Sequence, residues 1–437
     1  MTATGTAADA TAETVTQSSP ADVVRATYLI ESYLPLDAAA ETIASEQSTG
    51  TFVRVAGETD ELRARFRARI VSIDEEEADQ HAETLPGAVG ADQPGATLRR
   101  GRVTVDFPLA NFGASIPTLL AAVAGNLFEL RELAAIRLLD LELPEEFARA
   151  YPGRRFGVAG TRELIDAGPG VLVGSIVKPS VGLSPEETGR LVGELARAGA
   201  DFVKDDELTA SPAHSPLAAR VAAVMPAIER VADERGTKLM YAFNITDEIH
   251  KLREHHDTVV AHGGTCVMVC VNTVGFAGLA YLNSFSEVPI HGHRAGLGAL
   301  SRCPRLGISF RAWQKLARVA GADHLHANGP ANKFYETDEE AADCVRALRE
   351  PLLGSDCLPV ISSGQWAGTA AATYELAGST DLLVLGGGGV HAHPDGSAAG
   401  IESMRQGWEA AVAGVPLATY ASDRPALLHA IERYGGR

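Results

Sequence analysis

Long apolar runs are missing from this 437-residue chain, and no stretch approaches the roughly 20 consecutive apolar residues of a membrane span. Cysteine is scarce. Cys266, Cys270, Cys303, Cys344 and Cys357 are odd in number and form no CxxC pair, so a disulfide framework is not expected and a reducing cytoplasm fits best. Cys266 and Cys270 lie in an apolar run and are expected to pack as small hydrophobes. Basic charge is also short. With 38 Lys+Arg against 56 Asp+Glu the formal net charge is −18, which argues against general nucleic-acid or anionic-membrane binding, since both need basic surfaces. Residues 1–18 have neither a basic n-region nor an apolar h-region and read as a disordered tail, not a signal peptide.

What is present is an ordinary globular composition, 46% hydrophobic and 22% charged, long enough for two domains. Over 19–152 the pattern is mixed α+β, of a ferredoxin-like kind. Strands are expected over 24–30, 51–55, 64–73 and 102–107, with a helix over 37–46 capped by Asp37 and a second over 116–130. The segment 80–101, with prolines and glycines, reads as a loop.

From about residue 153 to 437 strands and helices alternate. Candidate strands are 171–178, 202–207, 239–245, 266–272, 289–294, 324–328, 359–363 and 381–387. Two intervening helices carry start signals, Ser184-Pro185-Glu186-Glu187 and Thr337-Asp338-Glu339-Glu340, both capping boxes and the first with proline at N1. Eight βα units in this length match a (β/α)8 TIM barrel followed by a C-terminal helical tail; a doubly wound open sheet usually has fewer strands.

Barrel active sites lie at the C-terminal ends of the strands. The chemically loaded residues fall there: Lys178 on the first strand, Lys204, Asp206 and Glu207 on the second, His291, His293 and Arg294 on the fifth. His324 and His326 lie on the sixth, Ser362-Ser363-Gly364 on the seventh and Gly387-Gly388-Gly389 on the eighth. If 201–206 is a strand, Lys204 and Asp206 share a face. Two carboxylates suit a hard cation, and an ammonium beside them does so only as a carbamate. Each group also has a plain structural reading. Lys178 could be a solvated strand end, the stretch at Lys204 a surface charge cluster, the glycines a tight turn, and one histidine of each His-x-His pair a packed core residue. His-x-His also occurs in zinc amidohydrolases, but there it precedes the lysine. Lys333, on a Gly/Pro/Asn loop after the sixth strand, could close a cation over an anion.

Taken together, Ser48-Thr49-Gly50-Thr51, Gly125-Asn126, Lys178-Pro179, Lys204-Asp205-Asp206-Glu207, His291-Gly292-His293-Arg294, His324-Leu325-His326, Lys333 and Gly387-Gly388-Gly389 resemble the ribulose-bisphosphate carboxylase (RuBisCO) large subunit and its RuBisCO-like relatives, over about residues 20–420. The resemblance implies a carbamylated Lys204 that binds Mg²⁺ with Asp206 and Glu207. It implies Lys178 as the proton-transfer lysine, Lys333 as the lysine that holds a carboxylate, and His293 near the reacting carbon. Arg294, His326 and Ser362 resemble one phosphate and hydroxyl site, and Thr51, Gly364, Gly387 and Gly388 the other. Glu46, Thr51 and Asn126 would complete the site of a neighbouring subunit, so a homodimer or a larger assembly of dimers is implied.

Departures from the family pattern narrow the activity. Ser180 stands where a second lysine is usual, Phe52 where a tryptophan is, Ser363 where a glycine is, and Leu297 where a histidine is. Ser362-Ser363-Gly364-Gln365-Trp366 resembles the RuBisCO-like class that acts on 3-oxo-isoapionate 4-phosphate as decarboxylase or transcarboxylase/hydrolase. The expectation is therefore a Mg²⁺-dependent lyase that forms a metal-stabilised enediolate from a phosphorylated β-keto sugar acid. Alternatives are a 2,3-diketo-5-methylthiopentyl-1-phosphate enolase, a true carboxylase, and a non-catalytic paralogue.

Overall fold

The structure is a computed structural model that describes residues 22–50, 55–153, 155–354 and 356–436. Strands β1 (Val23–Ser32), β2 (Arg69–Glu76), β3 (Arg99–Pro108) and β4 (Ala135–Glu142) form the N-terminal sheet. β1 lies inside it, antiparallel to both β3 and β4, and is buried almost throughout. β3 alternates, with Val103, Val105 and Phe107 turned into the core, as expected of a sheet with one wet face.

The barrel follows: β5 (Leu172–Ile176), β6 (Phe202–Lys204), β7 (Met240–Asn244), β8 (Cys266–Cys270), β9 (Ile290–His293), then β10 (Leu306–Ile308), β11 (His324–Asn328), β12 (Leu358–Ser362) and β13 (Leu383–Gly386). Eight of these close into a parallel barrel, β11-β12-β13-β5-β6-β7-β8-β9. Its interior is filled by Leu172, Phe202, Met240, Met268, Val360 and Leu385. This is the expected TIM barrel, behind the expected sheet-and-helix domain. β10 was not foreseen. Although it belongs by sequence to the barrel half, it pairs parallel with β4 and extends the N-terminal sheet, so the two halves share backbone hydrogen bonds.

Several local expectations are corrected. The first helix is Leu36–Glu46, with Pro35 at its N-cap, and Asp37 instead accepts from Ala38 N inside the first turn. Residues 64–73 are not one strand: Thr59 caps a helix Asp60–Phe66, and β2 begins at Arg69. The helix over 116–130 stops at Ala124, and Asn126–Glu129 forms a 3-10 turn. Gly125 marks the break, where a Cβ would come within 2.3 Å of Ala121 O. The strand expected over 51–55 lies outside the described residues except for Val55, which is in no strand. Both capping boxes are present, on helices Pro185–Arg197 and Asp338–Arg349. Cys266 and Cys270 are buried as small core residues. Among the described residues no helix is long and apolar enough to cross a membrane.

Candidate active site

β6 is short. It ends at Lys204, so Asp206 and Glu207 belong to the turn beyond it and the strand alternation expected to align Lys204 with Asp206 does not operate. What shapes the turn is Asp205. Its buried carboxylate accepts from Tyr241 Oη (2.5 Å), Asn244 N (2.8 Å) and Arg220 Nε (3.1 Å). The Asn244 amide in turn donates to the carbonyls of Asp206 and Glu207 at 3.2 and 3.3 Å. A carboxylate pinned by a cation, a phenol and a backbone amide is fully satisfied, so Asp205 serves the loop, and the carboxylates of Asp206 and Glu207 stand outside this set of bonds.

Lys204 is buried, and its Nζ donates to Asp205 O at 2.9 Å and to Glu207 Oε2 at 3.2 Å. Lys178 Nζ crosses from the end of β5 to Asp206 Oδ2 at 2.6 Å and also donates to Ser180 Oγ at 2.8 Å. The serine that replaces a lysine of the family pattern thus removes a charge and supplies an acceptor. Gly387 closes on the same lysine, since a Cβ there would stand 3.6 Å from Lys178 Cε. His293 faces Glu207, with Nε2 3.5 Å from Oε2, while its Nδ1 accepts from Ala295 N. Burial would raise the Glu207 carboxyl, but the Lys204 ammonium and His293 draw it down to about 2. Burial first, and then the Lys204 charge, lower His293 to about 3.

Among the described residues no group of three His, Cys, Asp or Glu could hold a metal ion. The state of Lys204 is therefore decisive for the donor set. As an ammonium it ion-pairs with Glu207. As a carbamate it would be a third oxygen donor, and three neighbouring anions, two of them buried, are offset by a hard divalent cation. The donor set therefore fits Mg²⁺ in the carbamate form.

The other expected residues divide in two. His326 and Ser362 lie together, with Nδ1 3.1 Å from Oγ, and the His293 and His326 rings are 4.5 Å apart. Arg294 is committed elsewhere: both its terminal nitrogens reach Glu336, at 3.0 and 2.8 Å. Gly364, at φ +86°, packs against the backbone of the Lys333 loop. Gly388 begins a short helix, Gly388–His391, right after β13. The structure does not bring Lys333 into the cluster. Its side chain is exposed, with the ammonium 5.2 Å from the Phe334 ring. Glu46 and Asn126 are exposed on the N-terminal domain, and no hydrogen bond or ion pair of the described residues ties them to the barrel residues. Thr51 and Phe52 lie outside the described residues.

Sequence reasoning missed Arg220, Tyr241 and Glu336. The first two sit in the first turn of the helix Leu217–Arg235 and in β7, and carry no local signal. Glu336, three residues after Lys333 on a loop expected to bind anions, was a visible oddity.

This geometry can be set beside known proteins. The family models for the ribulose bisphosphate carboxylase large chain match residues 16–147 (N-terminal domain) and 157–434 (catalytic domain). A 3-oxo-isoapionate-4-phosphate transcarboxylase/hydrolase of Xanthobacter autotrophicus is 46% identical over 93% of this chain and 98% of its own. A 3-oxo-isoapionate-4-phosphate decarboxylase of Rhizobium etli is 42% identical, over 94% and 99%. Among solved structures, a RuBisCO-like protein from Burkholderia fungorum superposes with a TM-score of 0.87 at 45% identity, covering 94% of this chain and 99% of that one. The octameric RuBisCO of Pyrococcus horikoshii does so with a TM-score of 0.85 at 30% identity, covering 97% and 96%. With the sheet domain and the barrel each matched and the likeness running nearly end to end, the chain belongs to the ribulose bisphosphate carboxylase large-chain family.

Proposed function

We propose that this chain is a Mg²⁺-dependent carboxy-lyase, or the related transcarboxylase/hydrolase, acting on a phosphorylated β-keto sugar acid of the 3-oxo-isoapionate 4-phosphate type. The observation that carries the reading is that relatives 46% and 42% identical, over nearly their whole lengths, are named for that one substrate. Lys204 as its carbamate, Asp206 and Glu207 would hold the metal. Bound there, Mg²⁺ supplies a Lewis acid for the keto oxygen.

The chain's own residues do the rest. When the bond to the carboxylate breaks, CO₂ leaves and the electron pair stays on the neighbouring carbon, which must then take a proton. Lys178, held by Asp206 and Ser180, is the proton donor. Lys333 steadies the departing carboxylate once its loop closes, and His293 lies beside the reacting carbon. Ser362, oriented by His326, takes one end of the substrate together with Arg294 once Glu336 releases it, and the backbone of Gly364, Gly387 and Gly388 takes the other, with Thr51. Glu46, Thr51 and Asn126 serve the neighbouring subunit of a homodimer. In this reading residues 19–152 form the N-terminal domain and 153–437 the catalytic one, in a reducing cytoplasm.

The test is to supply the purified full chain, with Mg²⁺ and bicarbonate, with 3-oxo-isoapionate 4-phosphate ¹³C-labelled at its carboxylate. Label appearing in CO₂ identifies the lyase, and label retained in a second acid the transcarboxylase/hydrolase; unchanged substrate defeats both. Lys204→Ala is expected to lower turnover by at least about a hundredfold, the scale of losing one electrostatic stabiliser of a transition state.

A further inference from the structure

Below the mouth of the barrel a row of buried polar side chains runs from Thr161, His324 and His291, which the proposed chemistry does not use, to His326 and Ser362, which it does. His324 Nε2 is 2.7 Å from Thr161 Oγ1, and His324 Nδ1 is 3.4 Å from His291 Nδ1. His291 Nε2 is 2.7 Å from His326 Nε2, and His326 Nδ1 is 3.1 Å from Ser362 Oγ. Thr161 belongs to the helix Gly157–Leu164, and its hydroxyl donates back to Gly157 O. That helix is pinned under β11 by Asp323, whose Oδ1 accepts from the amides of Phe156 and Gly157 while Oδ2 accepts from Ile290 N.

The direction of every bond in this row follows from its far end. A backbone carbonyl only accepts, so the Thr161 proton points to Gly157, and Thr161 Oγ1 must accept from His324 Nε2–H. Burial lowers His291, His324 and His326, so each ring is neutral, with one donor and one acceptor nitrogen. His324 Nδ1 is then an acceptor and takes the proton of His291 Nδ1. His291 Nε2, left bare, takes that of His326 Nε2. His326 Nδ1, bare in its turn, takes the proton of Ser362.

We propose that Thr161, His324 and His291 are positioning residues: through this one-way row they lock His326 as its Nε2–H tautomer and turn the Ser362 hydroxyl proton inward, leaving Ser362 Oγ only lone pairs for a ligand. The row is no proton wire, because its last member is a carbonyl with no proton to pass on. It is a tautomer lock. Reversing any one member sets two donors or two acceptors face to face at the next, so the members reverse together or not at all.

The experiment uses the ¹⁵N-histidine-labelled full chain, with resonances assigned from single His→Gln variants. Protonated and bare ring nitrogens are well separated in ¹⁵N shift. His324 and His326 are expected protonated at Nε2 and His291 at Nδ1, the reverse of its neighbours. Thr161→Val removes the terminal acceptor and is expected to shift the His326 ring nitrogens towards the other tautomer; Thr161→Ser restores them. The kinetic arm rests on the proposed decarboxylation: Thr161→Val should raise KM roughly tenfold, the worth of about one hydrogen bond, with Thr161→Ser again restoring it. Wild-type His326 protonated at Nδ1 overturns the lock without any variant, as does a folded Thr161→Val protein with His326 unchanged. An inactive wild type that shows the three expected tautomers would fail the proposed function and leave the lock standing.

Discussion

At the residue scale the buried imidazoles set how the protein responds to acid. Burial lowers His324 from 6.5 to about 3. Below pH 6.5 the unfolded chain takes up a proton that the folded chain refuses until the pH nears 3, so stability falls as pH drops through that window and is complete above it. At pH 5 the loss from this one group is about 2 kcal/mol. The melting temperature is therefore expected to fall between about pH 7.5 and pH 5, with a shallower fall in His324→Gln; equal slopes in the two proteins would contradict this. Lys178, Lys204, Asp206 and Glu207 were legible in the sequence because a charged residue ending an apolar run is conspicuous. Arg220 and Tyr241 were not, because a helical arginine and a strand tyrosine look the same whether they face solvent or a buried Asp205.

At the scale of elements, the placement of Lys204 depends on how closely β5 and β6 approach. A Cβ on Gly174 would lie 2.2 Å from Phe202 O, so Gly174→Ala must part the two strands just before Lys204. A loss of about 1–3 kcal/mol is expected, read by denaturant titration, together with loss of activity. The loop after β11 offers a second case. Arg294 and Glu336 are both largely buried and paired by two hydrogen bonds, with Asn328 Nδ2 donating to the same carboxylate at 2.5 Å. Breaking such a pair from one side costs about 3 kcal/mol or more. Glu336→Gln should lower stability by that order while freeing the Arg294 fork, so inorganic phosphate should protect the variant against heat more than the wild type. Equal protection would mean that Glu336 does not compete for Arg294. The helices with capping boxes were readable to the residue because a cap is a local signal. Helix Asp60–Phe66 was missed because its arginines and phenylalanine fit a strand pattern equally well.

For the whole molecule, groups on the N-terminal domain and on the loops beyond the barrel strands remain exposed in the single chain. Glu46 and Asn126 are exposed on the N-terminal domain, and Val181, Leu208 and Phe334, from loops that follow β5, β6 and β11, are exposed apolar residues. A homodimer that brings a neighbour's N-terminal domain over these loops is expected. Light scattering should then give at least twice the chain mass of 45.9 kDa, and Asn126→Asp should lower activity without changing that mass. A monomer that is fully active would refute the shared site.

The sequence by itself determined the eight-stranded barrel and the helices with capping boxes, because each is written in short-range signals: apolar runs and caps. Only the tertiary structure decided that β10 joins the N-terminal sheet, that Asp205 holds the loop beyond β6, that Glu336 holds Arg294, and that three histidines form one row with Thr161. Each of these joins residues whose pairing depends on which way a buried side chain turns, and no local pattern encodes that direction.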